Sequence, residues 1–220
     1  MNNMFSHGNR NKKEIVITFD DGPSEKTEQI LETLNKYDIK ATFFIVGKMI
    51  KGRENIIEKI KNEGHEFGNH TYSHKRLWFK PKKFIEEDIG KCDEELERVG
   101  IKTNLFRFPG FRYGSRSLRI CKKLNKKIIF GVLNYDWVSH NYWNPWLKKR
   151  KNIKGKTKID KVVKKALSKT QNGSILVFHD YLQEIGPNEE ITQILERVLP
   201  ELKRRGFKFI TVSELLVFDK

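Results

Sequence analysis

Seven short runs rich in β-branched and aromatic residues, at 14–19, 41–46, 65–67, 104–108, 127–133, 174–178 and 207–212, alternate with amphipathic helical stretches along this 220-residue chain. The helical stretches fall at 26–37, 54–62, 82–99, 117–124, 159–168 and 189–204. In the first of them Ile30, Leu31 and Leu34 share one face and Ser24 is placed to cap it. Strands that alternate with helices pair in parallel, because each crossover carries the chain back to the same end of the sheet. The expected class is therefore α/β, with a mainly parallel sheet in one domain of ordinary size. Such a sheet is either open or closed into a barrel.

The chemistry-bearing residues choose between these. Asp20 and Asp21 stand where Ile15-Val16-Ile17-Thr18-Phe19 stops against Gly22-Pro23. Two acids at the end of a core strand are costly unless a cation or a proton-transfer role accounts for them. His70 and His74 follow the third run, Arg107 lies at the end of the fourth, Asp136 follows the fifth and His179 the sixth. An open doubly wound sheet gathers ligands at one crevice, whereas a barrel collects the carboxyl ends of all its strands on one face. Contributions from five strand ends favour closure.

Each motif is ambiguous by itself. Two histidines four apart suit a metal but also occur as surface pairs. Asp-Gly is ordinary turn chemistry. Together, one aspartate and two histidines leave a metal with open positions for water and substrate. Arg107 is suited to orienting a nearby carboxylate and holding it ionised. Trp137 is equally suited to rim packing and to substrate contact, and His179 to the core and to catalysis. His65 and His140 read as structural or surface groups, and His7 lies in a polar tail.

In order, the motifs are Thr18-Phe19-Asp20-Asp21-Gly22-Pro23, His70-Thr71-Tyr72-Ser73-His74, Arg107-Phe108-Pro109-Gly110, Asp136-Trp137 and Val177-Phe178-His179. On these residues the chain resembles the polysaccharide deacetylases of the NodB-homology type, carbohydrate esterase family four. The resemblance implies a single distorted (β/α) barrel of seven to eight mainly parallel strands over 14–217, after a flexible tail at 1–13. It implies a metal-dependent N-deacetylase acting on an N-acetylated glycan such as peptidoglycan or a chitin-like polymer. Asp21, His70 and His74 would hold one divalent metal, zinc by expectation, with cobalt or another divalent ion as the alternative. Asp20 would be the general base with Arg107 bound to it. His179 would be the general acid, tuned by Asp136 and packed by Trp137. The Gly110 N–H would help hold the oxyanion, with Pro109, Trp137 and Val177 about the substrate. Two positions depart from the family pattern: Gly110 stands where a bulky residue, often Tyr, is usual, and Val177 where Leu is usual. Both bear on substrate fit rather than on reacting groups.

Rival functions stay in view. A deformylase or small-amide hydrolase would use the same barrel, and a non-catalytic glycan- or polyanion-binding module would lack the acid, base and ligand residues found here. The net charge of +16 comes largely from Lys148 to Lys169, where Asp160 is the one acid. That stretch reads as a solvated loop and helix face, with contact to an anionic cell-wall polymer as the sharper alternative. Nucleic-acid binding rests on charge alone and is not expected. The aromatic cluster Trp137, Tyr142, Trp143 and Trp146 suits either sugar stacking or anchoring of its loop. Cys92 and Cys121 lie in helical stretches and read as reduced thiols. No apolar run approaches the roughly 20 residues of a membrane span. With no secretory leader visible, the sequence reads as cytoplasmic, or as an envelope protein if a leader precedes it. A monomer is expected.

Overall fold

The computed structural model describes residues 3–131, 133–134, 155–180 and 189–217. Its strands are β1 (Met4–Phe5), β2 (Glu14–Asp20), β3 (Thr42–Ile45), β4 (Glu66–Asn69), β5 (Leu105–Phe106), β6 (Lys127–Ile129), β7 (Leu133–Asn134), β8 (Ile175–His179) and β9 (Lys208–Phe209). The helices are α1 (Thr27–Lys36), α2 (Glu54–Asn62), α3 (Lys82–Arg98), α4 (Ser115–Lys123), α5 (Gly155–Lys169), α6 (Glu189–Arg204) and α7 (Val212–Val217). Strand order is β1-β6-β5-β4-β3-β2-β8-β7, with β9 on the start of β2. Every pairing between these strands is parallel. This is a mainly parallel α/β half-barrel, of the class that the alternation implies and in keeping with the distorted (β/α) barrel that the family resemblance implies.

The two-residue period of a strand divides the core into layers. On β2, Ile15, Ile17 and Phe19 face outward into one cluster with Ile30, Leu31 and Leu34 of α1 and Leu195 and Leu199 of α6. Val16 faces inward, with Phe44, Leu105, Ile129 and Ile175. A third cluster packs α3 and α4 on the outside of β5 and β6 through Ile85, Ile89, Ile120, Phe106 and Ile128. Inward-facing positions near the strand ends are Thr18 and Asp20, then Arg107 just beyond β5. Register places Asp20 beside Phe44 on one side and His179 on the other.

Three segments differ from the sequence reading. Residues 207–212 are not one strand: pairing ends at Phe209, and Thr211 donates to Glu214 Oε2 from both its N–H (2.7 Å) and its hydroxyl (3.0 Å), which starts α7. That helix buries Val212, Leu215 and Leu216 inside the barrel. Residues 127–133 are two strands. After β6 the Phe130 N–H donates to Phe5 O, and Leu133 then pairs with Leu176 on the far side. Between them a Cβ on Gly131 would sit 2.0 Å from Val177 Cγ2, so a side chain there would block the crossing.

The expected tail is ordered from residue 3. Met4 and Phe5 pair with Ile128 and Ile129, His7 bridges Ser174, and the Gly8 N–H donates to Gly173 O (2.8 Å). The segment thus joins the two sides of the curved sheet, with Phe5 packed on the inner cluster. Cys92 and Cys121 are buried free thiols, and burial raises the Cys121 thiol to about 12.

Among the described residues no helix is long and apolar enough to cross a membrane. The basic stretch lies outside the described residues up to 154. Its later lysines, Lys161, Lys164, Lys165 and Lys169, occupy the exposed side of α5 opposite buried Val162, Val163 and Ala166.

Candidate active site

The adjacent aspartates separate because β2 ends between them. Asp20 is the last strand residue and points inward. Asp21 turns away at φ 75°, a left-handed backbone that aspartate tolerates better than most residues. Arg107, fully buried, donates from Nη1 to Asp20 Oδ1 (2.6 Å) and to Thr18 Oγ1 (2.7 Å), and from Nε to Ile129 O (3.2 Å). Its guanidinium lies 4.0 Å over the Phe44 ring. Burial pulls the Arg107 pKa below its ordinary value, and the Asp20 carboxylate opposes this. Burying such a pair costs several kcal/mol per ion before attraction and hydrogen bonds offset it, so the sequence must gain something other than stability from it.

Asp21, His70 and His74 offer one ligand atom each, all within 4.8 Å of one another. His70 Nδ1 lies 2.9 Å from Arg107 O. A carbonyl only accepts, so Nδ1 carries the proton and Nε2 presents a lone pair. That Nε2 lies 3.3 Å from Asp21 Oδ1, and His74 Nε2 lies 2.9 Å from the same oxygen. Although these distances are short, Asp21 Oδ1 is buried without a well-angled donor. Neutral His70 would set acceptor against acceptor, an arrangement that a shared cation relieves. Burial raises the Asp21 pKa, but the imidazoles of His70 and His74 and the charge of His179 outweigh it, leaving it well below 3.8. An ionised carboxylate beside imidazole nitrogens fits a divalent cation with open positions.

A model of the polysaccharide deacetylase family matches residues 7–129, more than half of the chain. The chain belongs to this family. A peptidoglycan-N-acetylglucosamine deacetylase of Bacillus cereus is 30% identical over 209 residues, which are 94% of this chain and 89% of that protein. A solved peptidoglycan N-acetylglucosamine deacetylase, in complex with 4-naphthalen-1-yl-N-oxidanyl-benzamide, superposes with TM-score 0.82 at 29% identity, covering 97% of this chain and 92% of its own. A family 4 acetyl xylan esterase from Clostridium thermocellum, in complex with a cobalt ion, superposes with TM-score 0.73 at 26% identity, covering 92% and 90%.

Around this centre the deacetylase brings together most of the residues singled out in its sequence. His179 ends β8 in register with Asp20. Val177 is fully buried on the same side of that strand. Pro109 and Gly110 lie in a single helical turn after Arg107, with Gly110 at φ 60°. Asp136 and Trp137, together with His140, Tyr142, Trp143 and Trp146, lie outside the described residues. His65 is buried, and its Nδ1 accepts the Ala41 N–H (3.1 Å) away from the mouth.

Two residues near the centre were not singled out in the sequence. Asp180 is buried directly after His179, and burial lifts its carboxyl to about 6 against the pull of two hydroxyl donors. Ser24 Oγ donates to Asp180 Oδ1 (2.6 Å) and Thr27 Oγ1 to Oδ2 (2.7 Å), while the Asp180 N–H donates to Asp20 O (2.9 Å). A Cβ on Gly22 would lie 2.0 Å from Asp180 Oδ2, so glycine is what lets the carboxylate dock under the turn. Asp180 thus ties the loop bearing Asp20 and Asp21 to the strand bearing His179. The readable signal was an acid after His179 facing Ser24 and Thr27 three residues apart. Asn69, fully buried, accepts the Thr71 N–H (2.8 Å) and donates to Ile89 O (3.0 Å) and Asp93 Oδ1 (2.7 Å), which fixes the histidine loop to α3.

Proposed function

We propose that this polysaccharide deacetylase hydrolyses the acetamido group of N-acetylglucosamine residues in a cell-wall glycan, releasing acetate. The observation that carries the reading is the convergence of His70 and His74 on the buried Oδ1 of Asp21, beside an Asp20 already held by Arg107. The peptidoglycan deacetylase of Bacillus cereus, similar along nearly its whole length, supports the choice of glycan.

An amide resists water, so the site must activate a nucleophile, stabilise an oxyanion and protonate the departing nitrogen. Asp21, His70 and His74 would hold a divalent ion, zinc by our reading, which polarises the acetyl carbonyl and lowers the pKa of a bound water. Asp20 takes the proton of the attacking water. Arg107 keeps that carboxylate aimed, and its Nη1 is itself fixed by donating to Thr18 Oγ1 as well. The Gly110 N–H donates to the developing oxyanion, a contact worth about 3 kcal/mol in a dry site. His179 protonates the amine as it leaves, with Asp136 tuning it and Trp137 packing beside it. Glycine at 110 keeps the backbone donor but supplies no side-chain wall for the acetyl pocket, and Phe111 stands next to it to serve instead. A base needed ionised and an acid needed protonated give a bell-shaped rate profile.

The test is mass spectrometry of products from acetylated chitooligosaccharides and peptidoglycan fragments, before and after metal removal. We expect loss of 42 Da per reacted sugar (the mass of an acetyl group less a proton), acetate in solution, and activity restored by zinc. Formate in place of acetate would move the reading to a deformylase. Turnover undiminished by chelation would remove the metal.

A further inference from the structure

The loops that carry His74 and Gly110 also build a rim that the reaction does not use. Trp78 and Phe79 stack face to face, ring centroids 4.5 Å apart, and both are exposed, Phe79 at 81%. Phe79 is held there at φ 61°, a left-handed backbone that costs a bulky residue roughly 1–3 kcal/mol. Arg112 lies 5.7 Å from the centre of the Trp78 ring. Tyr113, also exposed, stacks on buried Phe108 at 5.4 Å. A Cβ on Gly110 would lie 3.5 Å from Arg76 Nε, and one on Gly114 3.4 Å from Trp78 Cδ1, so the two loops meet side by side.

Charge on this rim has one sign. No Asp or Glu occurs in 71–85 or in 100–135, whereas Lys75, Arg76, Lys80, Arg112 and Arg116 do. Among the described residues no carboxylate pairs with Arg112. Aromatic faces suit sugar rings, but a neutral glycan needs no guanidinium. A planar fork of donors suits a carboxylate.

We propose that the rim is a subsite for a carboxylate-bearing sugar next to the reacting N-acetylglucosamine in a peptidoglycan strand. The sugar ring packs along the exposed edge of the Trp78–Phe79 stack, and its acid pairs with Arg112. The proposal rests on the deacetylase reading above and adds a preference to it: acidic strands over neutral, chitin-like ones.

The experiment measures acetate release by zinc-loaded protein from two oligosaccharides of equal length. One is a peptide-free peptidoglycan strand with free lactyl carboxylates, the other a neutral N-acetylchitooligosaccharide. We expect wild-type kcat/KM to be about tenfold higher on the acidic strand, a gap that 0.5 M salt narrows. Arg112→Gln raises KM on the acidic strand about tenfold and leaves the neutral one within twofold. Phe79→Ser, at a largely exposed side chain, raises KM on both. Equal rates on the two strands, or an equal loss on both from Arg112→Gln, would overturn the subsite while leaving the deacetylase intact. No acetate from either strand with the wild type would overturn the reaction itself and the subsite with it.

Discussion

Two ion pairs, one on each side of β4, are made at the same distance and do opposite things. At the mouth, Arg107 meets Asp20 at 2.6 Å, and at the far end Lys126 meets Asp93 at 2.6 Å. The far pair is satisfied. Lys126 Nζ also donates to Thr103 O (3.2 Å), and Asp93 Oδ1 accepts from Asn69 Nδ2 (2.7 Å). Asp93 is partly open to water. The mouth pair is nearly dry, with Arg107 fully buried, and it leaves Arg107 Nη2 and the adjacent Asp21 Oδ1 without hydrogen-bond partners. Buried polar atoms without partners are rare enough that each calls for a cause. Neighbouring residues link the two systems: Asn69 faces outward to Asp93 while His70 faces inward to Asp20 and Asp21. The mouth thus has two unpartnered buried atoms at the candidate metal site, whereas the far pair has none.

The largest effect should come from Asp20→Asn. Loss of a general base lowers kcat by about a thousandfold, with zinc content by mass spectrometry unchanged. Because the substitution also leaves Arg107 buried without its counter-ion, the variant should be less stable by about 3–5 kcal/mol, read from urea unfolding. Near-normal acetate release by folded, metal-loaded Asp20→Asn protein would mean that the mouth pair is as structural as the far one.

Two buried titrating groups sharpen the contrast, with opposite signs. His65 is driven by burial from 6.5 to about 4, and its Nε2 finds no hydrogen bond although Glu63 lies 3.7 Å away. Since the ring is neutral at pH 7, that contact is not an ion pair. The stability His65 contributes is present above pH 6.5 and lost as pH falls toward 4, by up to about 3 kcal/mol for a shift of this size. Asp180, raised from 3.8 to about 6, contributes stability that is present below pH 3.8 and lost as pH rises through 6. The windows overlap and partly cancel in the wild type. In chelator-treated protein, His65→Asn, which keeps an acceptor for the Ala41 N–H, should flatten the acid-side loss. Asp180→Asn should remove the opposing slope, also about 3 kcal/mol at most. Urea midpoints at pH 4, 5, 6 and 7 check both. A pH profile that neither variant alters would assign these groups no part in acid stability.

Much of this contrast was legible in the chain. The alternation of runs follows from β-branched and amphipathic patterns read against Gly and Pro, and Asp20, Asp21, His70, His74, Arg107 and His179 stand at or just after the ends of those runs, while their roles come from the family resemblance. Less legible were features set by what lies across the barrel. Residues 207–212 look like a strand because Ile210 and Val212 are β-branched, yet a cap from Glu214 and burial inside the barrel make the second half helical. Met4 and Phe5 are two apolar residues in a polar segment, and only the gap between β6 and β8 makes them a strand. Residues 127–133 form one apolar run, and its break depends on Gly131 passing Val177. Asp180 reads as an ordinary acid until the hydroxyls of Ser24 and Thr27 are brought to it from 153 residues away or more.

The smallest expected effect is also the sharpest test of the opening contrast. Lys126→Met removes the charge at the far end but preserves most of the buried stem. Asp93 keeps its bond from Asn69 and its access to water, so the cost is about 1–2 kcal/mol, less than for the dry pair. Asn69 still holds Thr71 and Ile89, which leaves the histidine loop in place. We therefore expect kcat within threefold of wild type in metal-loaded protein, with a small fall in the urea midpoint. If kcat instead dropped tenfold while zinc content held, the Asp93–Lys126 pair would be positioning His70 through Asn69, and the mouth would not be separable from the far pair.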